Sequence, residues 1–175
     1  MNQINIQYFK TKYGEFILGS YDGKLCIVDF RYRKMRKTID DRIKKGLNAE
    51  FIEQDNEVLQ KTRLQLGEYF NMRRRTFDIP IQMVGTDFQR SVWEALLKVP
   101  YGTTSTYLQL AKDINNEKAV RAVANANGAN AIGIIIPCHR IIGTNGELTG
   151  YAGGLPLKKC LLELEQNLFT TVHGS

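Results

Sequence analysis

TYLQLAKDINNEKAVRAVANANG, residues 106–128, carries the signals of two short helices joined by a tight turn. Thr106 and Gln109 stand at the spacing of a capping box, so a short helix opens there and carries Leu110, Ala111 and Ile114. Asn115-Asn116 supplies a turn, and Asn116 is placed to cap a further helix over residues 117–127, which Gly128 ends. Two short helices across a tight turn have the spacing of a helix-turn-helix, whose second helix usually meets DNA. That second helix contains Ala119, Ala122, Ala124 and Ala126, and Arg121 is its only long side chain suited to reading bases. Small residues let a backbone approach a surface closely, which suits a minor groove with Arg121 inserted. An alanine-rich helix packed tightly in a core accounts for the same composition equally well.

Downstream, Ile134-Ile135-Ile136-Pro137-Cys138-His139-Arg140-Ile141-Ile142-Gly143 sets one thiol beside one imidazole between two apolar runs. The isoleucines are suited to a buried extended segment, and Pro137 fixes its own φ and removes a donor, so the thiol is held stiffly. Cysteine is a nucleophile as the thiolate, and a neighbouring imidazole can take its proton directly or through a water. A lone cysteine in an apolar segment is more often an inert core residue. Burying Cys138, His139 and Arg140 together for packing alone would be costly, which favours a reactive centre.

Upstream, Thr86 and Gln89 repeat the capping-box spacing, and Phe88, Val92, Trp93, Leu96 and Leu97 follow on one helical face until Pro100. A domain boundary is expected near Val84-Gly85. Before it, Ile4, Ile6 and Tyr8 alternate with polar residues, Phe16 to Ser20 follows Gly14, and Asp22-Gly23 precedes Leu25 to Phe30. These read as three strands joined by hairpins. Cys26 falls inside the third strand as a core residue. The run Arg31, Arg33, Lys34, Arg36 and Lys37 reads as a solvated loop or helix face, with nucleic-acid contact the sharper alternative. Residues 57–70 carry Leu59, Leu66 and Phe70 at helical spacing. Pro80 reduces Phe77, Ile79 and Ile81 to an edge strand or extended linker.

At 175 residues, 43% hydrophobic and 24% charged, the chain has ordinary globular composition, and a net charge of +6 favours an anionic partner without specifying one. Cys26, Cys138 and Cys160 cannot all pair within the chain and show no Cys-x-x-Cys spacing, which argues for reduced thiols and a cytoplasmic protein. His139 and His173 are the only histidines, so no metal site is expected. The first residues lack a basic then apolar leader, and no apolar run reaches membrane-spanning length. Cys160 sits with Leu157, Leu161 and Leu164 at helical spacing and reads as core.

Pro137-Cys138-His139-Arg140 after the isoleucine run, with Tyr107, Arg121, Asn130, Gly150-Tyr151-x-Gly153-Gly154 and Leu161-Leu162-x-x-Glu165, resembles the O6-alkylguanine-DNA alkyltransferases. The resemblance is detailed over residues 85–165 and weaker over 1–84. It implies an α/β N-terminal domain (1–84) with a small antiparallel, ribonuclease-H-like sheet. It also implies a mainly α, winged-helix-like C-terminal domain (85–169) bearing the helix-turn-helix, with 170–175 a mobile tail. By resemblance, Cys138 accepts the alkyl group, His139 acts as base through a water, and Glu165 orients the imidazole. Asn130 ties down the Cys138 segment, and Tyr107 crowds the phosphate and donates to the base. Arg121 fills the vacated stack once the nucleotide is flipped out, with Ala122, Ala124, Asn125 and Gly128 along the DNA-facing side. Pro137, Ile141, Gly143, Asn145, Tyr151, Gly153 and Gly154 would form the base pocket.

The implied partner is double-stranded DNA containing O6-alkylguanine, possession of O4-alkylthymine activity being left open. The implied reaction is a single irreversible transfer by a monomer without cofactor or membrane attachment. A lesion-binding or regulatory DNA-binding protein without alkyl transfer would leave Cys138-His139 unexplained. A turnover thiol hydrolase would have no use for Arg121 on an alanine-rich helix.

Overall fold

A computed structural model describes residues 2–166 of the chain. The N-terminal half opens with strands β1 (Asn2–Thr11), β2 (Gly14–Tyr21) and β3 (Lys24–Phe30), paired antiparallel through two tight hairpins. Helix α1 (Arg36–Leu47) then brings the chain back to the start of the sheet, and β4 (Ala49–Glu53) runs parallel to β1. The order is β3-β2-β1-β4, so the sheet expected to be antiparallel is mixed. The reason is directional: a helical return lets the next strand enter the same way as β1, which a hairpin cannot do. The β4 sequence AEFIE alternates too briefly to announce itself.

The two faces of this sheet bury different helices. Ile39 and Ile43 of α1 pack with Ile4, Ile6, Ile17, Cys26 and Ile27 on one side. Helix α2 (Glu57–Phe70) covers the other, capped by Asn56, whose side chain accepts from Leu59 N–H. Its Leu59, Leu66, Tyr69 and Phe70 meet Phe16, Leu18, Leu25 and Val28. This second core does not stop near residue 84. It continues into Val92, Trp93, Leu96, Leu110, Val123 and Ile136 of the second half, where each fully buried aliphatic side chain stabilises by about 1.5–3 kcal/mol.

The open edge of β3 is covered rather than exposed. Ile81 bridges Leu25, as the edge-strand reading anticipates, and Ile132 bridges Val28, with Val28 N–H donating to Ala131 O at 2.8 Å and Gly133 N–H to Val28 O at 2.7 Å. Pairing of this kind blunts a strand edge. It also joins the first half to the segment that leads into Cys138.

The second half consists of α3 (Asp87–Leu96), β5 (Ser105–Thr106), α4 (Tyr107–Asp113), α5 (Val120–Gly128), a 3-10 turn (Cys138–Arg140), β6 (Ile141–Ile142) and α6 (Leu155–Glu165). The Thr86–Gln89 capping box forms in full. At Thr106 only half of the expected box forms: the threonine accepts from Gln109 N–H, while the Gln109 side chain donates to Asp113 instead. The helix expected from residue 117 begins at Val120, and Asn116 does not cap it with its side chain. Asn115 takes a left-handed conformation (φ 58°), and a turn closed by Ala119 N–H on Asn116 O uses up the intervening residues. Trp93 anchors α3 beneath α5, its Nε1–H donating to Ala126 O at 2.9 Å.

The basic run is not simply solvated. Arg33 and Arg36 pair with buried Asp29 at 3.0 and 3.1 Å, and Arg33 Nη2 donates to Gly128 O at the end of α5 at 2.8 Å. An unpaired buried Asp29 would be costly, so it recruits the arginines. Cys26 is buried and its thiol is pushed up to about 12 by that burial. Cys160 is only half-buried, because it lies at the margin of the α6 core face rather than on it. The expected tail 170–175, including His173, lies outside the described residues.

Candidate active site and nucleic-acid interface

Cys138 is delivered by a constrained approach. Ile134 adopts φ +68°, a strained conformation for a β-branched residue. Pro137 follows at φ −82° and ψ 62°, and Cys138 N–H donates back to Ile136 O at 2.8 Å, the geometry of an inverse γ-turn. Asn130 braces this bend from the end of α5: its Nδ2 donates to Ile136 O (2.9 Å), and its Oδ1 accepts from Ile132 N–H (3.0 Å). The thiol therefore stands at the start of the 3-10 turn, 9% exposed, at the wall of a cleft of about 620 Å³. Burial pushes the thiol up, opposed first by the hydrogen bond with Asn130.

Behind it lies a buried polar cluster centred on Glu165. His139 Nε2 lies 2.6 Å from Glu165 Oε2. A carboxylate can only accept, so the proton is on Nε2 and Nδ1 keeps its lone pair. Nδ1 is buried and takes no bond from a described protein group. Arg140 clamps the same carboxylate through Nε (2.8 Å) and Nη2 (3.1 Å), and Tyr69 OH donates to Oε2 at 2.6 Å. Gly102 N–H adds a bond of 3.2 Å to Oε1. Burial alone would raise Glu165, but the hydrogen bonds and charge of His139 and Arg140 outweigh it and hold the carboxylate ionised, down to about 2. With its charge already matched by Arg140, burial dominates at His139 and lowers its affinity for a second proton. A neutral imidazole with one nitrogen fixed and the other free is a general base awaiting a proton.

The expected site residues divide unevenly around the cleft. Cys138, Asn130, Tyr107, Tyr151, Ala124, Asn125 and Gly128 line it. Arg121, Ala122, Asn125 and Gly128 are exposed on α5, and Ala124 is half-buried, a distribution that leaves a small-residue face with one long cation open to solvent. Tyr107 OH sits near the loop opposite, 3.4 Å from Thr149 O. The remaining expected pocket residues stand elsewhere. Pro137 borders a separate cavity beside Tyr101, and Ile141 is wholly buried. Gly143 and Asn145 form a turn closed by Gly146 N–H on Gly143 O. Gly153 packs against Phe30, and Gly154 precedes α6.

Several contributors were not visible in the residue pattern. Tyr69 reads as an apolar helix position, yet its hydroxyl reaches Glu165 across 96 residues. Arg33 and Met35 bring the first half to the cleft wall. Asn127 is buried, and its Oδ1 takes no bond from a described group. The signal available for Tyr69 was its hydroxyl alone, since a buried tyrosine needs a partner for it.

The chain is similar to known proteins over most of its length. Residues 4–83 match the ribonuclease-like domain of 6-O-methylguanine DNA methyltransferase, and residues 87–167 match its DNA binding domain. The chain is 42% identical over 157 residues to the methylated-DNA–protein-cysteine methyltransferase of Methanosarcina acetivorans, covering 90% of this chain and 95% of that protein. The Haemophilus influenzae protein of the same name is 40% identical over 168 residues, with 95% and 88% covered. The crystal structure of Mycobacterium tuberculosis OGT in complex with DNA superposes with a TM-score of 0.78 at 34% identity, covering 94% of this chain and 93% of that one.

Proposed function

We propose that Cys138 is the residue through which this chain, a member of the 6-O-methylguanine DNA methyltransferase family, acts. The protein is a methylated-DNA–protein-cysteine methyltransferase, repairing alkylated guanine in DNA by moving the alkyl group to one of its own cysteines. The observation that carries the assignment to Cys138 is the open Nδ1 of His139, the residue next in the chain to a thiol at the cleft wall, with Nε2 held by Glu165.

In this reading His139 takes the thiol proton at Nδ1 through a bridging water, and the imidazolium formed is stabilised by Glu165. The thiolate attacks the saturated alkyl carbon, forming the C–S bond as the carbon–O6 bond breaks. The electron pair returns to the purine, which regains a proton with Tyr107 as donor or hydrogen-bond partner. Positioned base catalysis of this kind contributes about 10²–10⁴ in rate. The product thioether has no leaving group that water displaces, so each molecule acts once.

The lesion lies inside the duplex, so the nucleotide must be extruded to reach a thiol at the cleft wall. The exposed α5 face fits close approach to the minor groove, with Arg121 occupying the gap. Ala122, Ala124, Asn125 and Gly128 serve that approach, and Tyr151 walls the cleft. Pro137, Ile141, Gly143, Asn145, Gly153 and Gly154 support the pocket from behind or through its loops. The division of labour follows a boundary near residues 84–85, with repair chemistry and DNA contact on the C-terminal side. A single copy supplies every group named, which favours action as a monomer, and we place it in the cytoplasm. No described helix is long and apolar enough to cross a membrane.

The test is Cys138→Ser mixed with a duplex carrying one O6-methylguanine. The variant should retain lesion binding and leave the base methylated. Demethylation by the variant would overturn the assignment.

A further inference from the structure

Lys158 is the anomaly of the core. It is 0% exposed, although lysine is almost never fully buried without a partner of opposite charge. Among the described residues it makes no ion pair. Its Nζ donates instead to two carbonyls, Thr149 O at 2.7 Å and Gly150 O at 3.4 Å. Leaving an ammonium in such a place is expensive, and two carbonyl dipoles offset only part of that. The oxygens it grips belong to the loop that walls the cleft opposite α5: Thr149, Gly150 and Tyr151 all line it alongside Cys138. Tyr107 is tied to the same loop, since Thr149 Oγ1 donates to its hydroxyl at 3.3 Å.

Helix α6 thus serves the site at both ends of one face. Lys158, Leu161, Leu164 and Glu165 are its buried residues, and the seven-residue offset from Lys158 to Glu165 is two helical turns, which keeps them aligned. Glu165 governs the imidazole and Lys158 governs the wall across from it. Burial lowers the proton affinity of Lys158, and negative charge on Cys138 would oppose this. The groups that act on the Cys138 thiol are Asn130 from the end of α5, Asp29 and Arg33 from the first half and Lys158 from α6, and the thiol in turn acts on Tyr151 of the loop.

We propose that Lys158 is a positioning residue for alkyl transfer, fixing the 149–151 wall of the cleft and providing the counter-charge for the Cys138 thiolate. The proposal rests on Cys138 being the alkyl acceptor. A buried ammonium held by neutral carbonyls is more stable when a thiol on the cleft whose wall it grips ionises, so Lys158 favours the reactive form of the nucleophile. Arg33 is less suited to this role because its charge is already committed to Asp29 at 3.0 Å.

The experiment measures single-turnover methyl transfer from duplex DNA against pH for wild type, Lys158→Gln and Lys158→Met. Glutamine retains a donor for the loop carbonyls without the charge, and methionine removes both. Both variants should move the rising limb of the profile upward by about one pH unit, so transfer at neutral pH slows about tenfold and converges with wild type in alkaline solution. Lesion binding should weaken in Lys158→Met and be kept in Lys158→Gln. An unchanged midpoint with a uniformly lower rate would reduce Lys158 to a structural clamp and overturn the counter-charge role. Peptide mapping of the wild-type product separates the two levels: a methyl group found away from Cys138 defeats the underlying reading, whereas one on Cys138 with unshifted midpoints defeats this proposal alone. Should neither variant fold, nitrogen NMR of the Lys158 ammonium in wild type decides. Its titration should fall to lower pH once Cys138 is methylated, and an identical titration before and after refutes the coupling.

Discussion

Replacing Glu165 by glutamine separates the chemical role of the buried cluster from its structural one. The carboxylate accepts from His139, Tyr69, Gly102 and, twice, Arg140. Glutamine keeps the shape but turns an amide NH₂ toward donors and leaves Arg140, itself 6% exposed, without its counter-ion. Breaking a buried ion pair from one side costs about 3–5 kcal/mol. For a chain of this size, about 2–4 °C per kcal/mol turns that into a melting temperature lower by roughly 6–20 °C. The chemical consequence is separate: His139 loses the charged acceptor that fixes its proton on Nε2, frees Nδ1 and stabilises the imidazolium. Transfer should therefore slow by roughly 10²–10⁴, the worth of a positioned general base. Rapid-quench single-turnover assays well below the melting temperature, with lesion affinity measured in parallel, read the two effects independently. A folded Glu165→Gln protein that transfers methyl groups within about tenfold of the wild-type rate would refute the role given to the His139–Glu165 pair.

Acid should destabilise the fold in two overlapping steps. Glu165, held at about 2 against 4.5 unfolded, contributes stability that is complete above 4.5 and lost as pH falls from there toward 2. His139, lowered from 6.5 by burial, contributes stability present above 6.5 and lost below it; urea unfolding from pH 7 to 3 should show both losses, and Glu165→Gln should lack the lower one. Arg121→Ala should slow repair of duplex DNA while leaving transfer from a free O6-alkylguanine base unchanged, and equal losses on both substrates would contradict a flipping role. Gly85→Ala should lower stability by about 1–3 kcal/mol in thermal unfolding, because the added Cβ would lie 2.6 Å from the Trp93 ring.

The sequence was most legible where local rules act alone. Thr86 and Gln89 formed their capping box, the strands alternating around Ile4, Phe16 and Leu25 paired as hairpins, and Pro80 left only a bridge at Ile81. Elements set by distant partners were harder. The parallel position of β4 depends on where α1 returns the chain, and the start of α5 depends on Asn115 turning left-handed. Arg33 looks like surface charge until Asp29 and Gly128 are brought beside it.

The site shows the same division. Cys138 and His139 are neighbours in sequence and were read as a pair. Glu165 came from the resemblance, since a lone carboxylate near the end of a helix carries no signal of its own. Tyr69 and Lys158 carried none either, because a tyrosine on an apolar helix face and a lysine on an amphipathic one look ordinary until burial reveals that each hydroxyl or ammonium needs a partner.

Repair by Cys138 leaves one new covalent bond in the protein. Intact mass of the protein after mixing with excess duplex DNA carrying a single O6-methylguanine, followed by peptide mapping, reads it directly. The prediction is one methyl group per molecule, located on Cys138, with an equal amount of guanine restored and no second turnover. A methyl group on Cys26 or Cys160, or restored guanine with an unmodified protein, would contradict it.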